Sequence, residues 1–319
     1  GHWVAMHTEV DRLALPSMIE RIRFFGPHPS PGDRFDCTVR VNELTDAFVR
    51  ADLELVSARP ADAGRLWCRI DGWQDTRFDT DEVVFPVLRD PDRLVVAERR
   101  PGGWFLATEH WDNSASRELM MRRYLNHRER PTYEALNPKA QRQWFLGRVA
   151  AKDAVRSWLW DHGAGPLFPA EITIGNDDEG RPVVEGPGCD GLRVSLAHTE
   201  WAAAAVVAGP GEPDPGIDVE ADGPRHERFA SLTLADAERS LVPAGEGPER
   251  DGALTRLWTV KEAAGKAAGT GLEGRPKDLV VTELDETTAR LADRTVATEV
   301  VAVGEGDTAR RYVVSWTTT

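Results

Sequence analysis

Trp258, Glu262 and Lys266 are spaced four residues apart within 254–269, whose Leu, Ala, Lys and Glu content predicts a helix stopped by Gly269-Thr270-Gly271. That spacing puts an apolar anchor, a carboxylate and an ammonium on one face over two turns. A lone Glu/Lys pair of this kind is commonly a surface salt bridge. Upstream, Gly216-Ile217-Asp218-Val219-Glu220 alternates apolar and acidic residues with the period of a strand, so Asp218 and Glu220 share a face. Strand-borne Asp218 and Glu220 facing helix-borne Glu262 would form a hard, all-oxygen site suited to Mg²⁺, with water and a substrate phosphate filling the remaining positions.

The elements that must carry these groups are legible in outline. Residues 1–96 alternate strand-like runs with Pro/Gly turns (19–24, 35–41, 51–56 and 66–73), which predicts a mostly antiparallel sheet. The pattern then becomes mixed and basic, with a helical stretch near 116–125, and we place a domain junction at 96/97. A longer helix is expected over 141–162, ended by Gly163, with Arg148, Lys152 and Arg156 in a row along it. Glu179-Gly180-Arg181-Pro182 reads as a turn and Val194–Thr199 as a strand ending in a polar loop. Trp201–Ala208 is apolar and too short to cross a bilayer, hence a buried strand. Runs at 279–281, 300–303 and 311–316 would close a second sheet, giving an α+β chain without a clean internal repeat.

Composition narrows the function classes. The 319 residues carry 41% hydrophobic and 29% charged side chains, as in globular proteins, and suffice for two domains. No apolar run predicts a membrane span, and no basic start followed by an apolar stretch marks a signal peptide. Cys37, Cys68 and Cys189 lack metal-ligand spacing and are odd in number, so we expect reduced thiols and a cytoplasmic setting. A net charge of −14 argues against nucleic acid as a partner. Between Arg117 and Arg156, however, ten basic residues face four acidic ones, a +6 segment expected to dock an anionic ligand or partner.

Gly216–Glu220 and Trp258-Thr-Val-Lys-Glu-Ala-Ala-Gly-Lys266 resemble the two signature blocks of 4′-phosphopantetheinyl transferases of the larger, surfactin-synthetase type. The resemblance covers 97–319 and implies a pseudo-two-fold α+β fold. It implies transfer of the phosphopantetheine arm of coenzyme A to a serine of an acyl carrier protein or domain, with Mg²⁺ on Asp218, Glu220 and Glu262. Glu262 would take the serine proton and Lys266 would neutralise phosphate charge. Leu146–Lys152 resembles the family's first helix, so Arg148 and Lys152 are expected to hold coenzyme phosphates, Arg156 facing either the ligand or the partner. Arg181 and His198 are expected to join them. Arg181 replaces a family Lys, keeping the charge in a forked donor. Ala197 replaces a Ser, removing a hydroxyl that Ser195 or Thr199 would have to supply.

Residues 1–96 resemble the second half of a polyketide-synthase dehydratase, a double hotdog, through Leu15-Pro16, Ile22–Phe24 with Pro31-Gly32, and Gly72–Phe78. The catalytic His and Asp of such enzymes have no counterpart here, and Gly1-His2-Trp3 looks like residues just beyond the Asp pattern. The chain is therefore expected to begin part-way through a dehydratase, as the end of an iterative, enediyne-like type I synthase. His28 reads as a turn residue. Two other classes fit parts of the pattern: a Mg²⁺-dependent phosphatase or nuclease, and a non-catalytic interaction module of a synthase. Reversing Arg122 and Arg123 to Glu is expected to raise the KM for an acyl carrier more than that for coenzyme A; an unchanged carrier KM would count against a docking role for this segment.

Overall fold

Alternation in the N-terminal third produces four long strands, β1 (Arg12–Phe24), β2 (Phe35–Leu44), β3 (Phe48–Ser57) and β4 (Leu66–Asp79), in one antiparallel sheet ordered β1-β4-β3-β2. The computed structural model describes residues 12–59, 62–79, 84–109, 111, 114–291, 294–304 and 309–317, so Gly1, His2 and Trp3 lie outside the described residues. The β2–β3 hairpin is closed by Thr45, whose hydroxyl accepts from the backbone N–H of Phe48 at 3.1 Å. His28 is exposed in the loop joining β1 to β2. A short helix, α1 (Val84–Arg89), follows β4.

Contacts divide the chain into two units, one comprising Gly1–Arg89 with Trp111–Arg117, the other Asp90–His110 with Glu118–Thr319. This division lies at 89/90, seven residues before the junction expected at 96/97, with 111–117 returning to the first unit. Residues 90–97 belong to the second unit for a clear reason. Buried Asp153 accepts from the backbone N–H of Val96 at 2.9 Å and of Ala97 at 3.0 Å, and the Arg156 guanidinium donates to the carbonyls of Pro91 and Leu94.

The second unit contains β5 (Glu98–Arg99), β6 (Phe105–Thr108), α2 (Ser114–Tyr124, which begins in the first unit), α3 (Arg130–Glu134), α4 (Pro138–Asp161), β7 (Thr173–Asn176), β8 (Pro182–Glu185), β9 (Arg193–His198) and β10 (Ala202–Ala208). It continues with β11 (Ile217–Ala221), α5 (Glu227–Thr233), α6 (Pro248–Ala267), β12 (Val281–Leu284), β13 (Thr288–Leu291), β14 (Arg294–Val303) and β15 (Arg310–Thr317). Asn137 caps α4 by accepting from Ala140 N–H, and Pro138 occupies the first turn, where its missing N–H costs nothing. The helix α6 likewise opens on Pro248, with Glu249 and Asp251 in its first turn and Lys266 in its last, as the helix dipole favours. It starts six residues before the expected Leu254, because Pro248 initiates the helix rather than breaking it.

The unit is built twice. In each part the first strand pairs with the last and the last with the one before it: β6-β10-β9, with β5 on the outer edge, and β11-β15-β14. The remaining two strands of each part form a hairpin, β7–β8 standing apart and β12–β13 continuing the sheet of β14. The helix α4 lies across β10, β9 and β6, while α6 lies across β15, β11 and β14. A shared core joins Trp104, Leu106, Ala204, Ile217, Val219 and Val314. The alanines of β10, fully buried at 202–205, let α4 pack closely.

Hydrogen bonds reveal the duplication that the sequence hides. Lys152 of α4 donates to Glu129 Oε2 at 2.5 Å and to the Tyr124 carbonyl at 2.6 Å. Lys261 of α6 donates to Glu238 Oε2 at 2.7 Å and to the Thr233 carbonyl at 2.9 Å. Sequence separations are 23 and 28 residues in both parts. The second carboxylate oxygen also repeats its role, accepting from Ile174 N–H in one part and from Val281 N–H in the other.

Backbone proximity sets where α6 sits on its sheet. A Cβ built on Gly216 would lie 1.9 Å from the carbonyl oxygen of Ala263, so strand entry and helix touch backbone to backbone. Gly216→Ala is expected to destabilise the protein by about 1–3 kcal/mol or more and to lower the melting temperature; an unchanged melt would refute this contact.

Candidate active site

Strand β11 and helix α6 bring the two sequence blocks together. Lys266 donates to Asp218 Oδ1 at 2.8 Å and to the Ile217 carbonyl at 3.0 Å, joining the last turn of the helix to the strand. Asp218 Oδ2 is buried and has no hydrogen-bond partner among the described residues. Glu220 is half-buried and 3.6 Å from the Arg225 guanidinium. Trp258 is packed edge-on against Phe229, with ring centroids 5.6 Å apart.

Burial pushes the Glu262 carboxyl above its ordinary range; the charge of Asp218 adds to this, Glu220 adds less, and Lys266 opposes it. Burial and then Asp218 push Glu220 up in the same way. Three carboxylates therefore sense one another, but among the described residues no three His, Cys, Asp or Glu side chains are gathered closely enough to hold a metal ion. The three-carboxylate set expected from the spacing, with water and a substrate phosphate filling the other positions, is not drawn tight around one point. Two of its members are turned to cations of the chain, Asp218 to Lys266 and Glu220 to Arg225. Hard oxygen donors, one of them the unpartnered Asp218 Oδ2, nevertheless suit a divalent cation of the Mg²⁺ type.

Beside Lys266 opens a cleft of about 770 Å³ bounded by α4, the β7–β8 hairpin, β9 and the turn after α6. Arg148, Arg181, His198 and Lys266 all line it. Arg148 stacks over Trp144 at 4.2 Å, and its buried Nε has no hydrogen-bond partner among the described residues. Burial lowers its pKa to about 10, against the opposing charge of Glu129. Arg181 is half-exposed and donates from Nε to Asp177 Oδ2 at 2.9 Å, with Glu179 as a second partner. Burial lowers the pKa of His198, and Lys266 and Arg148 add to that shift. An unsatisfied guanidinium, a forked cation, an imidazole and an ammonium around one cleft form a receptor for a polyanion.

Lys152 is not part of it. The expected row Arg148, Lys152, Arg156 points into the protein: Lys152 and Arg156 are fully buried, the first on Glu129 and the second on Asp153 and three backbone carbonyls. A helix of 24 residues that packs across three strands buries positions that an isolated amphipathic pattern would leave to solvent. The +6 segment accordingly offers less surface charge than its composition promised, and exposed Arg122 is paired with Glu118 at 2.8 Å. Ala197 lies in the shared core, and Ser195 Oγ accepts from Ile217 N–H, linking β9 to β11. Sequence reasoning missed Trp144, detectable as the aromatic one turn before Arg148, and Arg225, which no pattern marks.

A model of the 4′-phosphopantetheinyl transferase superfamily matches residues 214–316, spanning β11, α6 and the closing sheet. The holo-[acyl-carrier-protein] synthase of Geobacillus sp. (strain WCH70) is 32% identical over 92 residues, covering 28% of this chain and 77% of that protein. The enzyme of the same name from Bacillus velezensis (strain FZB42) is 36% identical over 101 residues, covering 30% of this chain and 83% of its own. The chain belongs to the 4′-phosphopantetheinyl transferase superfamily. A crystal structure of a holo-(acyl-carrier-protein) synthase from Bacillus anthracis str. Ames in complex with CoA (3′,5′-ADP) is 26% identical, covering 29% of this chain and 81% of that one, with a TM-score of 0.26.

As a member of that superfamily the protein is a transferase, and its matched segment contains the carboxylates but not the cations contributed by α4, the β7–β8 hairpin and β9. Burial of those carboxylates, with repulsion between them added, has a measurable cost. A carboxyl raised above 4.5 in the folded state binds more protons than the unfolded chain, so stability is lost as pH rises through that range and the loss is complete above the folded value. Glu262→Gln removes one charge, so it is expected to raise the melting temperature at pH 7 by roughly 2 °C and to leave it unchanged well below pH 4.5, where both states are protonated. A lower melting temperature at pH 7 would contradict this cost.

Proposed function

We propose that this transferase moves the 4′-phosphopantetheine arm of coenzyme A onto a serine hydroxyl of an acyl carrier protein or carrier domain, releasing 3′,5′-ADP. The observation that carries the reading is the cation-lined cleft beside Lys266, whose anchor on Asp218 joins it to the carboxylates. Arg148, with an unused donor, and Arg181, once released by Asp177 and Glu179, would bind nucleotide phosphates. His198 would donate a hydrogen bond without adding full charge.

Asp218 Oδ2, Glu220 and Glu262 would hold Mg²⁺, which when bound supplies charge neutralisation for the pyrophosphate. The serine oxygen forms the new bond to phosphorus, the phosphoanhydride bond to 3′,5′-ADP breaks, and Glu262 takes the serine proton. A carboxylate raised by burial is the stronger base for that proton. Lys266, one turn away, would neutralise the departing phosphate.

The doubled build of the second unit supports the larger, surfactin-synthetase type, since the holo-[acyl-carrier-protein] synthases align with only 28–30% of this chain. The four-stranded antiparallel sheet of the first unit is compatible with a dehydratase hotdog half, and on that reading the carrier is a domain of a polyketide synthase. The test is to incubate the protein with coenzyme A, Mg²⁺ and an apo acyl carrier protein and to follow the carrier by intact mass. The wild type is expected to add one phosphopantetheine, and Glu262→Gln to slow the addition about 10²–10⁴-fold. No addition by the wild type with any carrier, or an unimpaired Glu262→Gln, would overturn the assignment.

A further inference from the structure

Lys261 stands between Trp258 and Glu262 in the signature helix but has no part in the cleft. Its ammonium is fully buried and donates to three acceptors: Glu238 Oε2 at 2.7 Å, the Thr233 carbonyl at 2.9 Å and the Pro276 carbonyl at 2.9 Å. An ammonium has three protons, so none is left for a substrate. The acceptors come from the end of α5, from a 3-10 turn (Asp236–Leu241) and from the segment after α6, so this one side chain ties the helix to what precedes and follows it. Glu238 extends the tie by accepting from Ala235 N–H at 2.7 Å and Val281 N–H at 2.7 Å.

We propose that Lys261 and Glu238 are a positioning pair that sets the rotation of α6 and thereby aims Glu262, an inference that rests on Glu262 being the group that takes the serine proton. Consecutive helical residues are about 100° apart around the axis. Lys261 pins the inner side, Lys266 pins the last turn to β11, and Glu262 rides between the two fixed points. The same clasp in the first part has a different payload: Lys152 on Glu129 fixes α4, whose cleft-facing cation is Arg148, one turn earlier. Equivalent clasps should therefore govern different kinetic constants.

The test compares two neutralised clasps, Glu238→Gln/Lys261→Met and Glu129→Gln/Lys152→Met, in which no buried charge is left alone. The first is expected to lower kcat about 10²-fold, the size of effect that a 1 Å misplacement produces, with the KM for coenzyme A unchanged. The second is expected to raise that KM and leave kcat much less affected. Folding is checked by a cooperative melt above the assay temperature. If the first double variant does not fold, Glu238→Asp, which keeps the charge and shortens its reach, must show the same kcat loss. A folded Glu238→Gln/Lys261→Met protein with normal kcat, or the same change in both double variants, would overturn the proposal. Glu262→Gln measured in parallel separates the failures: an inactive Glu262→Gln beside a normal clasp variant refutes only the positioning role, whereas an active Glu262→Gln refutes the reading beneath it.

Discussion

Two ammonium groups inside the protein, Lys152 and Lys261, hold the second unit together. Burying an ion pair returns little net stability, yet removing one partner leaves an uncompensated charge at a cost of about 3–5 kcal/mol. Such a clasp therefore specifies geometry more than it adds stability. Burial pushes the pKa of Lys152 down to about 8 against the pull of Glu129, and Lys261 is lowered in the same way against the pull of Glu238. Each clasp gathers a helix, the segment before it and the first strand after it around one carboxylate. Both sheets, and the cleft beside them, depend on those two points.

Symmetry in the clasps makes the asymmetry of the next residue informative. Asp153 follows Lys152 and Glu262 follows Lys261. Asp153 is sealed by Tyr124, Arg156 and the amides of Val96 and Ala97. Its carboxylate is spent on anchoring the chain entry. Among the described residues Glu262 has no such hydrogen-bond partners, and it stays half-exposed near other carboxylates. One copy of the design buries its acid as scaffold, and the other leaves its acid partly exposed.

The sequence made the second copy legible and obscured the first. Alternation at Gly216–Glu220 and the four-residue spacing of Trp258, Glu262 and Lys266 place those groups on adjoining elements because both patterns are local. Lys152 was unreadable as a clasp since its partner lies 23 residues away and nothing in the basic row shows which face is buried. The internal repeat was invisible for a related reason. It is carried by a single Lys–Glu pair in each part, 23 residues apart, and by backbone groups of otherwise unlike residues, Tyr124 matching Thr233 and Ile174 matching Val281. The helix was expected only from Leu254 because the run of strong helix formers begins there, whereas its first turns hold Pro248 and Gly252.

The close approach at Gly216 bears on motion as well as on stability. Sliding α6 along β11 by one residue, about 1.5 Å of helical rise, would carry the Ala263 carbonyl off the only spot where the absence of a side chain makes room for it. The helix and strand are thus indexed to each other like a keyed shaft, and the carboxylates they carry cannot change separation by translation. Of the cleft's cations, Arg181 in the turn of the β7–β8 hairpin is half-exposed and paired with its neighbours Asp177 and Glu179. Lys266, tied to Asp218 and the Ile217 carbonyl, therefore presents its ammonium to the cleft from a part of the fold whose register is fixed.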